Sequence, residues 1–159
     1  MKKVVSNATP IISLAVIDRL SFLEDIFTKI IIPSAVYDEM TSARYPGYKE
    51  LSSDLFEIKE INDREELDTF LKVLDPGESE SILLASEIKA DVLIIDERLG
   101  YRMAQSKGLF VIGTLTVLLM AKKRGMIKEV KPLFDQMIQK GRWYSSKVYE
   151  YFLNSIGER

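Results

Sequence analysis

One stretch limits the possible folds of this chain more than any other. Four apolar residues, 92–95, run without interruption into Asp96, and Asp91 precedes them. A short, continuous apolar run bounded in this way is typical of a β-strand that is buried on both faces. Such strands form parallel sheets covered by helices, and these sheets bind ligands at the carboxyl ends of their strands. Asp96 is therefore predicted to lie at a ligand-binding edge.

Four other segments have the pattern of strands, and helical segments separate them. The predicted strands are residues 4–6, 29–32, 55–61, 92–95 and 109–112. Alternation of strands and helices indicates βαβ units in a three-layer α/β fold. We predict a parallel sheet of about five strands flanked by helices. A chain of 159 residues suits a single domain, here 1–159, onto which two C-terminal helices at about 129–156 pack.

Several helix starts are predicted from capping signals. Asp63 stands three residues before a glutamate, and Asp75 stands three residues before Glu78 with a proline between them. Both spacings are those of a capping box. Thr9 is predicted to cap a helix that begins at Pro10, because proline needs no N–H partner at the first helical position.

The composition excludes several kinds of chemistry. The chain has no histidine and no cysteine, which removes disulfides, thiolates, histidine bases and the usual zinc sites. The net charge is −2, so nucleic acid would have to bind at a local basic patch. Residues 1–6 reach a polar turn too early for a secretory signal to be expected, and no apolar stretch is long enough to span a bilayer. We expect a cytoplasmic protein that does not associate with membranes.

Oxygen-bearing side chains are predicted to gather at the carboxyl edge of the sheet. Asn7 follows the first strand and Asp96 follows the fourth, so they share a crevice if those strands are neighbours. Glu39 lies on the helix after strand two, and Glu78 and Glu80 lie in the first turns of the helix before strand four. Carboxylate and amide oxygens are suitable ligands for Mg²⁺ or Mn²⁺.

Each of these side chains also has a purely structural explanation. Asp96 could cap the helix that follows it, and Glu78 could complete a capping box with the residue three before it. Glu80 is favoured near a helix N-terminus by the helix dipole. Glu39 could be an ordinary exposed helix residue, and Asn7 could bond to its own backbone in a turn.

Taken in order, five segments resemble a PIN domain. The segments are residues 4–12, 32–39, 74–82, 93–98 and 113–118. The resemblance covers nearly the whole chain, and within the family the chain is similar to a poorly characterised prokaryotic branch related to the VapC-type toxins. It implies a small Rossmann-like fold and an acidic pocket that holds one or two Mg²⁺ or Mn²⁺ ions. It also implies metal-dependent endonuclease action on single-stranded RNA, in which an in-line attack would leave a 5′-phosphate and a 3′-hydroxyl.

By the same resemblance, Asn7 stands where the family usually has its first aspartate. Glu39 matches the second acid, Glu78 or Glu80 the third, and Asp96 the fourth. These residues are the candidate catalytic and metal-binding groups. Because an amide oxygen carries no charge, Asn7 is expected to weaken metal binding. The alternative is therefore a weak or inactive module that binds nucleic acid or protein.

Hydroxyl and basic side chains near the pocket are the candidates for RNA binding. Thr9 and Thr114 match polar positions of the family. Arg98, Arg102 and Lys107 follow the pocket in sequence, and residues 122–124 form a second basic cluster. The competing interpretation of these basic residues is a solvated helix face or helix end.

The resemblance also implies protein partners. A VapC-like protein would act as the toxin of a toxin–antitoxin pair, would bind an antitoxin and would form a homodimer. Phe22 and Phe27 are candidates for the dimer face, although core positions are the expected alternative. Trp143, the one tryptophan, follows Arg142. Its ring could stack on a base, but we expect it to cover the sheet edge or to anchor the last helix.

Overall fold

A five-stranded parallel sheet forms the centre of the protein, in a computed structural model that describes residues 2–159. The strands are β1 (Val4–Ser6), β2 (Ile30–Pro33), β3 (Phe56–Lys59), β4 (Val92–Ile94) and β5 (Val111–Ile112). Their order across the sheet is β3-β2-β1-β4-β5, and every pairing is parallel. The predicted α/β fold with a parallel sheet of about five strands is confirmed.

Helices connect the strands and close the described part of the chain. They are α1 (Ala8–Val16), α2 (Ser21–Phe27), α3 (Ser34–Ala43), α4 (Arg64–Phe70), α5 (Pro76–Glu87), α6 (Arg98–Ser106), α7 (Thr114–Lys123), α8 (Lys131–Gln139) and α9 (Ser146–Ser155). A short 3₁₀ helix, Lys49–Ser52, precedes β3. No helix within residues 2–159 is both long enough and apolar enough to cross a membrane.

Strands β1, β2, β4 and β5 are buried on both faces, as their apolar sequences require. The edge strand β3 is buried only at Phe56 and is exposed from Glu57 to Lys59. Successive strand residues point to opposite sides, so Val4 belongs to one apolar cluster and Val5 to the other. The Val4 side packs against α1, α2, α3, α7, α8 and α9. The Val5 side packs against α4, α5 and α6. Phe22 and Phe27 are buried in the first cluster, so these two rings are core residues and do not form an exposed dimer face.

Strand β1 lies between β2 and β4, and the side on which strands are added changes there. Strands β2 and β3 lie on one side of β1, and β4 and β5 lie on the other. Val5 pairs with Ile31 on one side, and Ser6 pairs with Ile94 on the other. The backbone N–H of Asn7 then donates to the Ile94 carbonyl at 3.0 Å. Parallel sheets bind ligands where neighbouring connections leave in opposite directions. The β1–β4 edge is such a point, and Asn7 and Asp96 both lie there.

The two predicted aspartate caps are confirmed. Asp63 accepts from the Glu66 N–H at 3.0 Å, and Asp75 accepts from the Glu78 N–H at 2.7 Å. The prediction for the first helix was wrong by two residues. Because β1 leads directly into it, α1 begins at Ala8 with Asn7 in the N-cap position, and Thr9 lies inside the first turn.

Candidate active site

Asp96 is held at the start of α7 and not at the start of α6, where a capping role would have placed it. Its Oδ1 accepts from the Thr114 N–H at 2.7 Å, and its Oδ2 accepts from the Thr114 hydroxyl at 2.6 Å. Glu97 caps α6 instead, by accepting from the Leu99 and Gly100 N–H groups. The structure thus orients the Asp96 carboxylate through two bonds to a single buried threonine.

The environment of Asp96 has opposing effects on the pKa of its carboxyl group. Burial raises the pKa of its carboxyl, whereas the two bonds from Thr114 and the nearby positive charge of Arg142 act to lower it. Gly113 leaves space for the carboxylate, since a Cβ at this position would lie 2.8 Å from Asp96 Oδ1. The absence of a side chain at Gly113 is therefore part of how the site is built.

Asn7 and Glu39 meet above Gly77, at the N-terminus of α5. A Cβ on Gly77 would lie 3.0 Å from Glu39 Oε2 and 3.4 Å from Asn7 Oδ1. Asn7 is buried, and its side chain makes no capping bond to α1. Partial burial of the Glu39 carboxyl, followed by the negative charge of Asp75, raises its pKa. Two oxygen donors therefore face the same small space.

Glu78 is buried between other carboxyl groups. It is 8 % exposed, and its Oε2 has no hydrogen-bond partner. Burial, followed by hydrogen bonding to Asp75 and Glu97 and by their negative charges, raises the pKa of Glu78 to about 9. Bonds from the Gly100 and Leu99 N–H groups outweigh burial at Glu97 and lower its pKa. Glu78 is therefore the proton-bearing member of this group at neutral pH.

Glu80 points elsewhere, although it is as buried as Glu78 and lies two residues away on the same helix. Its Oε1 accepts from the Ala35 N–H at 3.1 Å, at the N-terminus of α3. Its Oε2 is 3.7 Å from an Arg64 nitrogen. Glu80 thus joins α5 to α3 and α4, whereas Glu78 is directed towards Asp75 and Glu97.

The candidate acids line more than one depression of the surface. Asp96 lies in a cleft of about 510 Å³, whereas Glu39 and Asp75 line a neighbouring one of about 560 Å³. The first cleft, called here the Asp96 cleft, is lined by Thr9, Ser13, Ile95, Asp96, Arg98, Tyr101, Gly113, Leu115, Thr116, Arg142, Trp143, Tyr144, Ser145 and Val148. Within residues 2–159, no three acidic side chains come close enough together to hold a metal ion.

The basic candidates are distributed unequally around this edge. Arg98 lines the Asp96 cleft, and the exposed Arg102 lies one turn further along α6. Lys107 pairs with Glu66 and lies 5.5 Å from the centre of the Phe70 ring, so it is engaged with α4.

The second basic cluster is remote from the site. Lys122 donates to Glu158 at 2.7 Å, and the cluster ends α7. Helix α7 has ten residues, so this end lies about 15 Å from the Thr114 end. Residues 122–124 are therefore too far away to contact a nucleotide at Asp96.

The loop between α8 and α9 reaches the site with residues that the sequence did not assign to it. Arg142 Nε donates to Ser13 Oγ at 3.0 Å, a contact between residues 129 positions apart. Tyr144 packs edge-on against Phe134, with ring centres 4.9 Å apart. Burial and the charge of Asp96 raise the pKa of the Tyr144 hydroxyl. The sequence marks Arg142 only as the neighbour of Trp143 and gives no sign of its contact with Ser13, whereas Glu97 could have been found from its place before α6.

Comparisons with known proteins agree with this architecture. The family model described as "DUF3368: PIN domain" matches residues 3–158. Among solved structures, the chain is similar to the PilT N-terminus domain protein SSO1118 from Sulfolobus solfataricus P2, with a TM-score of 0.54 and 13 % identity over 89 % of this chain and 96 % of that one. A domain of a functionally unknown protein from Methanocaldococcus jannaschii has 19 % identity over 71 % of this chain and 91 % of that one, with a TM-score of 0.44. A search of curated proteins found no match.

A five-stranded parallel α/β sheet with oxygen-bearing side chains at one edge is consistent with a PIN-like fold. The chain belongs to the PIN-domain family, because the family model covers nearly its whole length. The family generally has nuclease activity and uses divalent metal ions. The predicted family membership and fold are thereby confirmed.

Proposed function

We propose that the protein is a metal-dependent endoribonuclease that cleaves single-stranded RNA. The observation that carries this proposal is the buried Glu78 Oε2, which accepts from no N–H or hydroxyl group and lies against the carboxyl groups of Asp75 and Glu97. An unpaired acceptor in a buried site is costly unless a ligand satisfies it. Family membership supports the nuclease class, and the RNA substrate rests on the resemblance to VapC-like proteins.

The donor chemistry fits a divalent cation. Asn7 Oδ1 and Glu39 Oε2 face the space above Gly77, and Glu78 follows Gly77 directly on α5. Together with Asp96, these four oxygen-bearing residues would hold Mg²⁺ or Mn²⁺, which prefer such ligands. A bound ion of this kind activates water and offsets charge on a phosphate. Because Glu39 and Asp96 line separate clefts, binding would require the long glutamate side chains to reorient.

The protein residues have separate parts in this proposal. Thr114 holds Asp96 in one orientation through two hydrogen bonds. Glu78 is protonated at neutral pH and would release its proton when a cation binds, so affinity for Mn²⁺ should rise with pH. Arg98 and Thr9 line the Asp96 cleft and are placed to contact the RNA backbone.

The decisive experiment is cleavage of an end-labelled single-stranded RNA with Mn²⁺ or Mg²⁺. Cleavage should require the metal and should be lost in Asp96→Asn, which keeps the size of the side chain and can still bond to Thr114. Glu80→Gln is the matched control, because Glu80 is equally buried but faces α3. Absence of metal-dependent cleavage, or equal cleavage by Asp96→Asn, would exclude the proposal.

A second function, binding without cleavage, is favoured by Asn7. This residue removes one negative charge from the donor set, and within residues 2–159 no three acids lie together as a metal site. Calorimetry with Mn²⁺ separates the two functions, since an inactive site gives no saturable heat. Asn7→Asp should increase Mn²⁺ affinity if the asparagine is what weakens the site.

The proposal includes a toxin role with an antitoxin partner and a homodimeric state, which rest on the resemblance to VapC-like proteins. It also includes a cytoplasmic location, which rests on the sequence pattern. Growth arrest on expression, relieved by the product of an adjacent gene, tests the toxin role. Light scattering of the purified protein tests the dimer.

A further inference from the structure

Trp143 is exposed where a large aromatic side chain is usually covered. It is 83 % exposed, more than any other large apolar residue of the described chain. The expected role as an anchor of α9 is not supported, because the ring is largely exposed and Tyr144 next to it packs on Phe134 instead. The ring lines the cleft at the sheet edge without being covered itself, and this position calls for another explanation.

The chain on either side of Trp143 is anchored, so the segment that carries the ring is held at the cleft. Arg142 donates to Ser13 at 3.0 Å, and its backbone N–H donates to the Met137 carbonyl at 3.1 Å. Ser145 caps α9 by accepting from the Val148 N–H at 3.1 Å. Trp143 thus stands in the wall of the Asp96 cleft on a short segment that is fixed at both ends.

The charge of this wall is complementary to a phosphate. Arg98 and Arg142 both line the Asp96 cleft, and neither forms an ion pair within residues 2–159. Arg142 uses Nε for Ser13, which leaves its terminal N–H groups free to donate to a phosphate. An exposed aromatic ring beside unpaired guanidinium groups is the combination that binds single-stranded nucleic acid.

We infer that Trp143 is a stacking platform for an unpaired base of single-stranded RNA, with Arg142 placed to bind the adjacent phosphate near Asp96. The inference deepens the proposed function, on which the identity of the nucleic acid rests. A duplex offers no free base face to the ring, so the same contact selects single strands. Base stacking also tolerates many sequences, because every base presents a π-face.

The chain has a single tryptophan, so its fluorescence reports directly on this site. An unstructured eight-nucleotide RNA, added in EDTA to prevent cleavage, should quench the emission saturably. The duplex of that RNA with its complement should not. Equal quenching by the duplex, or preferential binding of DNA of the same sequence, would overturn the inference.

Variants are measured by the anisotropy of a fluorescein-labelled RNA. Trp143→Ala should weaken binding by about 5- to 150-fold, and Trp143→Phe should restore most of the affinity. Tyr151→Ala is the control, because Tyr151 is 79 % exposed but does not line the cleft. Unchanged affinity in Trp143→Ala would refute the platform, as would self-association through Trp143 in light scattering.

These results are independent of the cleavage test. Binding that depends on Trp143 in a protein without cleavage would support the platform and exclude the nuclease. Metal-dependent cleavage with an unchanged KM in Trp143→Ala would support the nuclease and exclude the platform.

Discussion

Replacing Glu78 by glutamine tests whether this buried carboxyl is protonated in the folded protein. Glu78 is 8 % exposed and lies against Asp75 and Glu97, which together with burial raise its pKa from 4.5 to about 9. Glutamine has nearly the same shape, carries no charge and can donate to both neighbouring carboxylates. The variant therefore has no ionisable group at position 78 but keeps the packing of the side chain.

The sign and size of the effect follow from proton linkage. Because the folded-state pKa lies above the unfolded value, the folded protein holds an extra proton between pH 4.5 and about pH 9. The contribution of Glu78 to stability is complete below this interval and is lost as the pH rises through it. The loss is about 1.4 kcal/mol per pH unit, which amounts to about 3 kcal/mol at pH 7.

Urea unfolding followed by circular dichroism at pH 5, 6, 7 and 8 measures this effect. The stability of Glu78→Gln relative to the unsubstituted protein should rise by about 1.4 kcal/mol for each pH unit. Glu80→Gln is the control, since Glu80 has the same exposure but bonds to Ala35 and Arg64. Because Glu80 does not lie against Asp75 and Glu97, its substitution should not reproduce the rise expected for Glu78→Gln.

A stability difference between Glu78→Gln and the unsubstituted protein that does not change between pH 5 and pH 8 would refute this assignment, since it would mean that Glu78 is already ionised in the folded protein. Addition of Mn²⁺ extends the test, because a bound cation should reduce the pH dependence of the unsubstituted protein and leave that of Glu78→Gln unchanged.

Three further substitutions test how the site and the C-terminus are held. Thr114→Val should lower the free energy of unfolding in urea by about 1–2 kcal/mol, because Asp96 Oδ2 loses its hydrogen-bond donor. Thr114→Ser keeps the hydroxyl group and should not have this effect. Gly113→Ala should cost about 1–3 kcal/mol in thermal unfolding, since its Cβ would lie 2.8 Å from Asp96 Oδ1. Glu158→Ala should lower the free energy of unfolding by about 3 kcal/mol, because the buried carboxylate accepts from one lysine and two backbone N–H groups. The control, Glu150→Ala at an exposed position, should lower it by less than about 0.5 kcal/mol.

The strands and the edge that carries the site follow from short-range patterns. An apolar run that ends in an acid predicts a buried strand with a polar group at its carboxyl end, and 92–96 is built in this way. The caps at Asp63 and Asp75 also follow from local spacing, since each involves a residue only three positions away. Such features are predictable because the interacting groups are close in sequence.

The direction of each side chain at that edge depends on distant residues. Glu78 and Glu80 are both glutamates on α5 with the same exposure. Glu78 faces Glu97, whereas Glu80 accepts from the N–H of Ala35. Two positions on a helix point to different sides, and the neighbour on each side comes from another part of the chain. No spacing within α5 distinguishes them.

The sequence by itself determined the α/β class, the parallel sheet and the presence of Asn7 and Asp96 at one edge, because hydrophobic periodicity and strand ends are local properties. The tertiary structure alone decided that Asp96 is held by Thr114, that Glu78 is buried against two other carboxyl groups, and that Trp143 is exposed beside the site. These outcomes depend on which groups from remote segments fill the space around each side chain. That arrangement exists only once the helices have packed on the sheet.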